Sequence, residues 1–162
     1  MARSTIRYWG APGEVVDRFA GLWTLERRIA GHAAMRGTAR FAPLPGGGIE
    51  YREEGELRLA TGEQLDATRS YRFRALSNGF AVFFAEAPPR LFHEISLVLR
   101  SDGSLAGEAR HLCAPDLYLS EYRFAPDGQF SVRHAVRGPR KDYMISTRYR
   151  RVTDEGFVGE AP

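Results

Sequence analysis

The sequence predicts an all-β domain: an antiparallel meander of about ten strands that closes into a barrel, with a short helix near its start. Turn-forming residues recur at spacings of about a dozen residues, and no long helical pattern separates them. The segments between the turns alternate apolar and polar residues, as half-buried strands do. A run of hairpins favours a meander, and closure of the meander removes its exposed edges.

The short helix is expected near residues 14–20. Pro12 precedes it, Glu14 is an acidic residue in its first turn, and Gly21 ends it. Val15, Val16 and Phe19 would form its apolar stripe.

Turn residues divide the rest of the chain into strands. Asn-Gly and Asp-Gly pairs favour the positive φ angles of tight hairpins, and Gly-rich and Pro-containing turns occur between them. The strands are expected to begin near Leu22, Met35, Ile49, Leu65, Phe80, Leu91, Leu105, Leu117, Gln129 and Asp142. Residues after Thr153 are expected to form a loose tail. The length of the chain and the lack of a second-domain boundary predict that residues 1–162 form a single domain.

Alternation within the strands indicates which side chains face the interior. One face of residues 50–58 is wholly charged, so Tyr51 and Glu53 on the opposite face point inward. The same argument turns Arg69 inward on the next strand. The polar residues expected around the cavity are Tyr51, Glu53, Arg69, Tyr71, His93, His111, Cys113, Tyr118, Tyr122 and His134.

A barrel of about ten strands is too wide for side chains alone to fill, so a cavity is expected. Burying an unpaired charge costs several kcal/mol, and Glu53 and Arg69 lie on adjacent strands, so we expect them to pair. The last hairpin, residues 138–143, adds Lys141 and Tyr143 to the candidate site as a clasp at the barrel mouth. A tight basic turn without a ligand is the alternative for this hairpin.

Composition restricts the class of protein. The composition, with 43% hydrophobic and 27% charged residues, is typical of a soluble globular domain. No apolar run approaches the roughly 20 residues that a membrane helix needs, and the N-terminus lacks the apolar region of a signal peptide. A single cysteine, Cys113, excludes an internal disulfide and is consistent with a cytoplasmic location.

The net charge of +3 raises the question of nucleic-acid binding. The basic residues are spread over almost every strand and interleaved with acidic ones, whereas a nucleic-acid site concentrates them in a stripe. We therefore expect a small-molecule partner, with neither nucleic acid nor membrane as partner. Association into a homo-oligomer stays open, because Tyr8 and Trp9 would either cover a neighbouring subunit or pack over the barrel end.

Gly21-Leu22-Trp23 resembles the Gly-x-Trp opening of the calycin superfamily, which comprises lipocalin and fatty-acid-binding-protein barrels. The resemblance implies that Trp23 plugs the closed end and that an arginine of the last strand, Arg148 or Arg150, packs across it.

Nearly the whole chain is also similar to an uncharacterised bacterial domain family with a calycin-like barrel. The stretches that carry this resemblance are residues 22–27, 51–55, 71–73, 92–93, 111–113 with Asp116 and Tyr118, and 138–143. It implies the fold and the pocket and assigns no activity.

Three classes of function fit this pattern. A ligand-binding barrel would hold an anionic group on Arg69, since guanidinium and carboxylate pair in a two-pronged fork. A lyase, decarboxylase or isomerase would use Glu53 as general acid or His111 as general base, and its residue types resemble those of phenolic acid decarboxylases. An interaction module would need no ligand at all.

His111 and Cys113 leave further alternatives open. Cys113 would be a nucleophile beside His111, or the two would bind a metal with His93 or His134, or an inward histidine would bind haem. His-x-Cys is not a recognised closed-site metal spacing, and lone cysteines are most often inert. We therefore expect no metal and no cofactor.

Overall fold

The computed structural model describes residues 8–153, and in this part of the chain eleven antiparallel strands form one sheet that curls into a nearly closed barrel. The strands are β1 (Gly21–Ile29), β2 (Ala33–Pro43), β3 (Ile49–Leu59), β4 (Gln64–Leu76), β5 (Gly79–Phe84), β6 (Arg90–Ser96), β7 (Val98–Leu99), β8 (Leu105–Cys113), β9 (Asp116–Phe124), β10 (Phe130–Arg137) and β11 (Asp142–Arg151). All ten predicted strands are present, and the two-residue β7 is additional. The tail predicted after Thr153 lies outside the described residues.

The meander is closed through its first and last strands. Strand β1 pairs with β2 on one side and with β11 on the other, which places Trp23 between Ala39 and Arg151. The two edge strands of the sheet are β6 and β7. The gap between these edges is narrow, because β6 also lies against β8. A Cβ atom added to Gly107 in β8 would lie 2.4 Å from the carbonyl oxygen of Ser96, so only glycine permits this approach.

The predicted N-terminal helix is wrong in type. The chain forms two 3-10 turns instead, over Pro12–Glu14 and Val16–Arg18. So short a segment cannot offset the cost of nucleating an α-helix, and consecutive β-branched valines disfavour it further. Within residues 8–153, no helix has the length and apolar character needed to cross a membrane.

Aromatic rings fill the closed end of the barrel. Phe19 stacks on Phe41 with ring centroids 4.5 Å apart, and Trp9 stacks on Trp23 at 5.8 Å. Only 3% of the surface of Trp9 is exposed, because its ring also meets Phe130 edge to face. Trp9 therefore packs over the barrel end and offers no exposed ring to a neighbouring subunit.

The arginine that covers Trp23 is Arg151, and the predicted Arg148 and Arg150 are not involved. The guanidinium carbon of Arg151 lies 4.4 Å from the Trp23 ring centroid, and its Nη1 donates to the carbonyl oxygen of Ala20 at 2.7 Å. Alternation explains the correction, because Arg148 and Arg150 are exposed on the outer face of β11 while Arg151 has the parity of the inward side chains.

Candidate functional site

Two adjoining chambers occupy the open half of the barrel. The inner chamber, of about 170 Å³, is lined by polar residues that include Arg27, Glu53 and Tyr149. The outer chamber, of about 300 Å³, lies at the mouth beside His111 and Cys113. The residues that line both chambers are Arg69, Tyr71, Phe92, His134 and Ile145.

The inner chamber contains a buried network around an ion pair. Arg27 donates to Glu53 through both Nη atoms, at 2.6 Å and 2.9 Å, and its Nε donates to Oγ1 of Thr147 at 2.8 Å. The hydroxyl of Tyr51 donates to Oε1 of Glu53 at 2.7 Å and lies 2.8 Å from the hydroxyl of Tyr149. The guanidinium, the carboxylate and the three hydroxyl groups of this network therefore all have hydrogen-bond partners within the protein.

The network holds Glu53 ionised. Burial by itself would raise the pKa of Glu53, but the hydrogen bonds and positive charge of Arg27 outweigh it, and the pKa lies below its usual value. Burial raises the pKa of the Tyr149 hydroxyl to about 12, so this group stays protonated. The ion pair of Arg27 and Glu53 therefore has no net charge.

The predicted ion pair between Glu53 and Arg69 is wrong, although the two residues are direct cross-strand neighbours. The partner of Glu53 is Arg27, which we did not predict to face inward. The signal was present in β1, where Arg27 has the same parity as the buried Trp23 and Leu25. Three further roles were not predicted, namely those of Thr147 and Tyr149 on the inner face of β11 and that of Ser120 as the partner of His134.

Arg69 has a different role in the structure. Its side chain lies on the wall of both chambers, and its Nη1 donates to the hydroxyl of Tyr71 at 3.1 Å. Within residues 8–153, no carboxylate forms a salt bridge with this guanidinium. Its positive charge is therefore available at the entrance of the inner chamber.

His93 is a buried neutral histidine behind the chamber wall. Its Nε2 lies 2.8 Å from the hydroxyl of Tyr122, and its Nδ1 has no hydrogen-bond partner in the described part of the chain. Burial, with smaller contributions from His134 and His111, lowers its pKa to about 3. It borders neither chamber, so its contribution to the site is indirect.

His134 faces both chambers. Its Nδ1 lies 2.7 Å from Oγ of Ser120, and its ring stacks against Phe92 with centroids 5.9 Å apart. Burial, followed by the charges of Arg27 and Arg69, lowers its pKa to about 4. The imidazole is therefore neutral at neutral pH.

The outer chamber combines aromatic surface with polar groups. Phe84 and Phe92 stack with ring centroids 4.7 Å apart, and His111 meets Phe92 edge to face at 5.2 Å. Arg90 lies over Phe84, with its guanidinium carbon 4.3 Å from the ring centroid. Cys113 is exposed on the chamber wall, so the predicted placement of His111 and Cys113 on one face is correct.

Most of the predicted residues come together, but two do not. The ten residues that adjoin the chambers or contact their lining are Tyr51, Glu53, Arg69, Tyr71, His93, His111, Cys113, Tyr118, Tyr122 and His134. Lys141 forms a salt bridge of 3.1 Å with Asp116, and Tyr143 packs against His32. These last two residues brace the rim and line neither chamber. In the described residues, no group of three or more His, Cys, Asp or Glu side chains is arranged to hold a metal ion.

Designed barrels resemble this chain in overall shape. A de novo designed fluorescence-activating β-barrel is 18% identical and aligns over 85% of this chain and 96% of its own, with a TM-score of 0.40. A second barrel, mFAP2b bound to DFHBI, is 10% identical over 88% of this chain and 100% of its own, with a TM-score of 0.44.

A search among curated proteins found no match to the sequence. A family model, by contrast, matches residues 19–151, a stretch that covers every strand from β1 to β11. The chain therefore belongs to DUF6314, a family of unknown function.

Proposed function

We propose that the protein binds a small, partly apolar anion in the two chambers of the barrel. The observation that carries this proposal is the position of Arg69, which lines both chambers and forms no salt bridge with a described carboxylate. A guanidinium beside an apolar wall suits a carboxylate or sulfonate, because its fork of N–H groups matches the spacing of their oxygens.

The other cations near the cavity support this assignment because they are already paired. Glu53 neutralises Arg27, Glu86 neutralises Arg90, and Asp116 pairs with Lys141. An anion that enters the barrel therefore meets its strongest attraction at Arg69, at the junction between the chambers.

The outer chamber would hold the apolar part of the ligand. Phe84, Phe92 and Tyr118 surround a space of about 300 Å³, which is at the lower end of the range for small-molecule sites. A compact molecule with an aromatic or branched apolar body fits this space better than an extended chain does.

The enzymatic alternative has less support. A general acid must hold a proton that it can give away, whereas Glu53 is ionised and held by Arg27 and Tyr51. Among the described residues, no side chain forms a hydrogen bond with His111 that would orient its imidazole as a general base. Binding is therefore the function we propose.

The calycin relationship is part of the same proposal. Trp23 at the closed end, covered by an arginine of the last strand, matches the pattern that the Gly-x-Trp resemblance implies. A bacterial origin rests on the family resemblance alone, and a cytoplasmic location on the single cysteine.

Two related dyes test the proposal. 1-Anilinonaphthalene-8-sulfonate is an aromatic anion, and N-phenyl-1-naphthylamine has the same rings without the sulfonate. We expect the anionic dye to bind the native barrel and Arg69→Gln to weaken its affinity by about tenfold, since hydrogen bonds to charged groups contribute about 1.5–3 kcal/mol. The neutral dye should be insensitive to this substitution.

Arg72→Gln is the matched control, because Arg72 is exposed on the outer face of the same strand. It should leave the affinity for both dyes unchanged, while near-ultraviolet circular dichroism verifies the fold of each variant. An Arg69→Gln variant that binds the anionic dye as tightly as the native protein would contradict the proposal, and so would failure of the native protein to bind it.

A further inference from the structure

His134 occupies the same junction as Arg69, and one of its ring nitrogens is free. Its Nδ1 is engaged by Ser120 on β9, which fixes the ring, and within the described residues Nε2 makes no hydrogen bond. Because His134 lines both chambers, this free nitrogen belongs to the part of the ring that a bound molecule can reach. The wall therefore presents two nitrogen groups to a ligand. The guanidinium of Arg69 is always charged, and the imidazole of His134 is neutral before a ligand binds.

The surroundings of His134 explain why it is neutral when the barrel is empty. Every strand packed around it contributes a titratable or charged group, and the sum is positive. These groups are Arg27 on β1, Glu53 on β3, Arg69 and Tyr71 on β4, His93 on β6, His111 on β8, Tyr118 on β9 and Tyr149 on β11. Burial of the ring is the first cause that lowers the pKa of His134, and the positive charges of Arg27 and Arg69 add to it. Of these two arginines, Arg27 has a salt bridge with Glu53, and Arg69 has none with a described carboxylate.

An anion bound to Arg69 would act in the opposite direction. It would neutralise the positive charge of Arg69, which is one of the causes that oppose protonation of His134, and it would offer an acceptor oxygen to an Nε2–H group. Both effects favour imidazolium over imidazole.

We propose that His134 is a second binding group for the anion and that it binds as imidazolium, so that the protein takes up a proton together with its ligand. This inference rests on the proposed function, and it narrows the ligand class to oxyanions with at least two acceptor oxygens, such as carboxylates and sulfonates. One oxygen pairs with Arg69 and another accepts from His134. Linkage then requires that the affinity for the anion increase as the pH falls from neutrality. The increase continues until the pH reaches the range in which His134 is protonated without a ligand.

The test uses 1-anilinonaphthalene-8-sulfonate, because its sulfonate stays ionised at every pH used. Titration calorimetry near pH 6, in two buffers of different ionisation enthalpy, counts the protons taken up on binding. We expect uptake by the native protein, and an affinity that rises by up to about tenfold per pH unit, which is the limit for one linked proton. The neutral N-phenyl-1-naphthylamine should bind without proton uptake.

His134→Gln is the decisive variant, since glutamine keeps a neutral donor near the position of Nε2 and cannot become charged. It should bind the anionic dye with no proton uptake and with an affinity that does not change with pH. His32→Gln is the control, because His32 is exposed and lines neither chamber. It should retain the uptake of the native protein.

The outcomes separate this inference from the proposed function. Absence of dye binding by the native protein would remove the proposed function and this inference together. Binding without proton uptake, or uptake that His134→Gln retains, would overturn this inference alone. If His134→Gln does not fold, nuclear magnetic resonance of the native imidazoles decides, since a His134 pKa that does not rise on dye binding would overturn it.

Discussion

Arg27 and Glu53 form a bidentate ion pair at the centre of the barrel, with Nη1–Oε2 and Nη2–Oε1 distances of 2.6 Å and 2.9 Å. Only 14% of the Arg27 side chain and 2% of the Glu53 side chain is exposed. Loss of one partner would leave the other charge buried and unpaired, which is far more costly than loss of a surface pair.

Glu53→Gln should therefore destabilise the protein strongly. The guanidinium of Arg27 would remain in the interior without a counter-charge, and we expect the free energy of unfolding to fall by about 3 kcal/mol. Urea unfolding followed by circular dichroism measures this loss. Glu54→Gln is the matched control, since Glu54 is exposed on the outer face of the same strand and should change stability little. Equal stability of the two variants would refute the assignment of a buried pair.

His93 and His134 should make the barrel sensitive to acid. Their pKa values in the folded state, about 3 and about 4, lie below the ordinary value of 6.5, so the unfolded chain binds more protons in this range. Their contribution to stability is complete above about pH 6.5 and is lost as the pH falls toward the folded-state pKa values. From pH 6.5 to about 5, each histidine should cost about 2 kcal/mol of the free energy of unfolding.

Urea unfolding at both pH values checks this expectation. His93→Gln should remove about half of the acid-induced loss, whereas His32→Gln, at an exposed loop position, should retain all of it. A native protein whose stability is the same at both pH values would rule out the buried neutral histidines.

Arg151 should stabilise the closed end of the barrel. It covers the ring of Trp23 and donates to the carbonyl oxygens of Ala20 and Arg18 and to the hydroxyl of Tyr8. We expect Arg151→Lys to lower the free energy of unfolding by about 2 kcal/mol, because a single ammonium cannot reproduce this planar set of contacts. Arg150→Lys, on the exposed outer face of β11, is the control, and a similar loss in both variants would argue against the special position of Arg151.

Cys113 should report on occupancy of the outer chamber. It is the single cysteine of the sequence, and its exposed side chain lines that chamber. Alkylation with a bulky maleimide should reduce binding of 1-anilinonaphthalene-8-sulfonate at least about tenfold, because the adduct would fill the space that the dye needs. The control is the double variant Cys113→Ser with Leu112→Cys, which moves the thiol to a side chain that is 69% exposed and does not line the chamber. Unchanged dye affinity after complete alkylation of Cys113 would place the dye elsewhere.

The strand pattern and most of the site follow from local sequence. Alternation placed Tyr51 and Glu53 on the inner face correctly, because the wholly charged opposite face of β3 admits one orientation only. Arg69 and His134 also line the inner chamber, as the polar opposite faces of their strands indicated. The 3-10 turns before β1 could not be distinguished from an α-helix, since both have similar spacing over so few residues.

Pairing between strands that are not direct neighbours was beyond the sequence. Arg27 and Glu53 are separated by 26 positions and lie on either side of β2, and the long arginine side chain reaches past that strand to the carboxylate. Cross-strand neighbours such as Glu53 and Arg69 are the natural expectation, but the two side chains need not meet when a better donor reaches the acid from across the interior.

The sequence by itself determined the strands, their turns and which side chains face inward, because these properties depend on periodicity and on residues near in the chain. Only the tertiary structure decided which charges neutralise one another. With Glu53 held by Arg27, and Lys141 by Asp116, Arg69 and His134 are left at the junction of the two chambers. Electrostatic balance in a closed barrel depends on distances through the interior, and chain folding sets those distances.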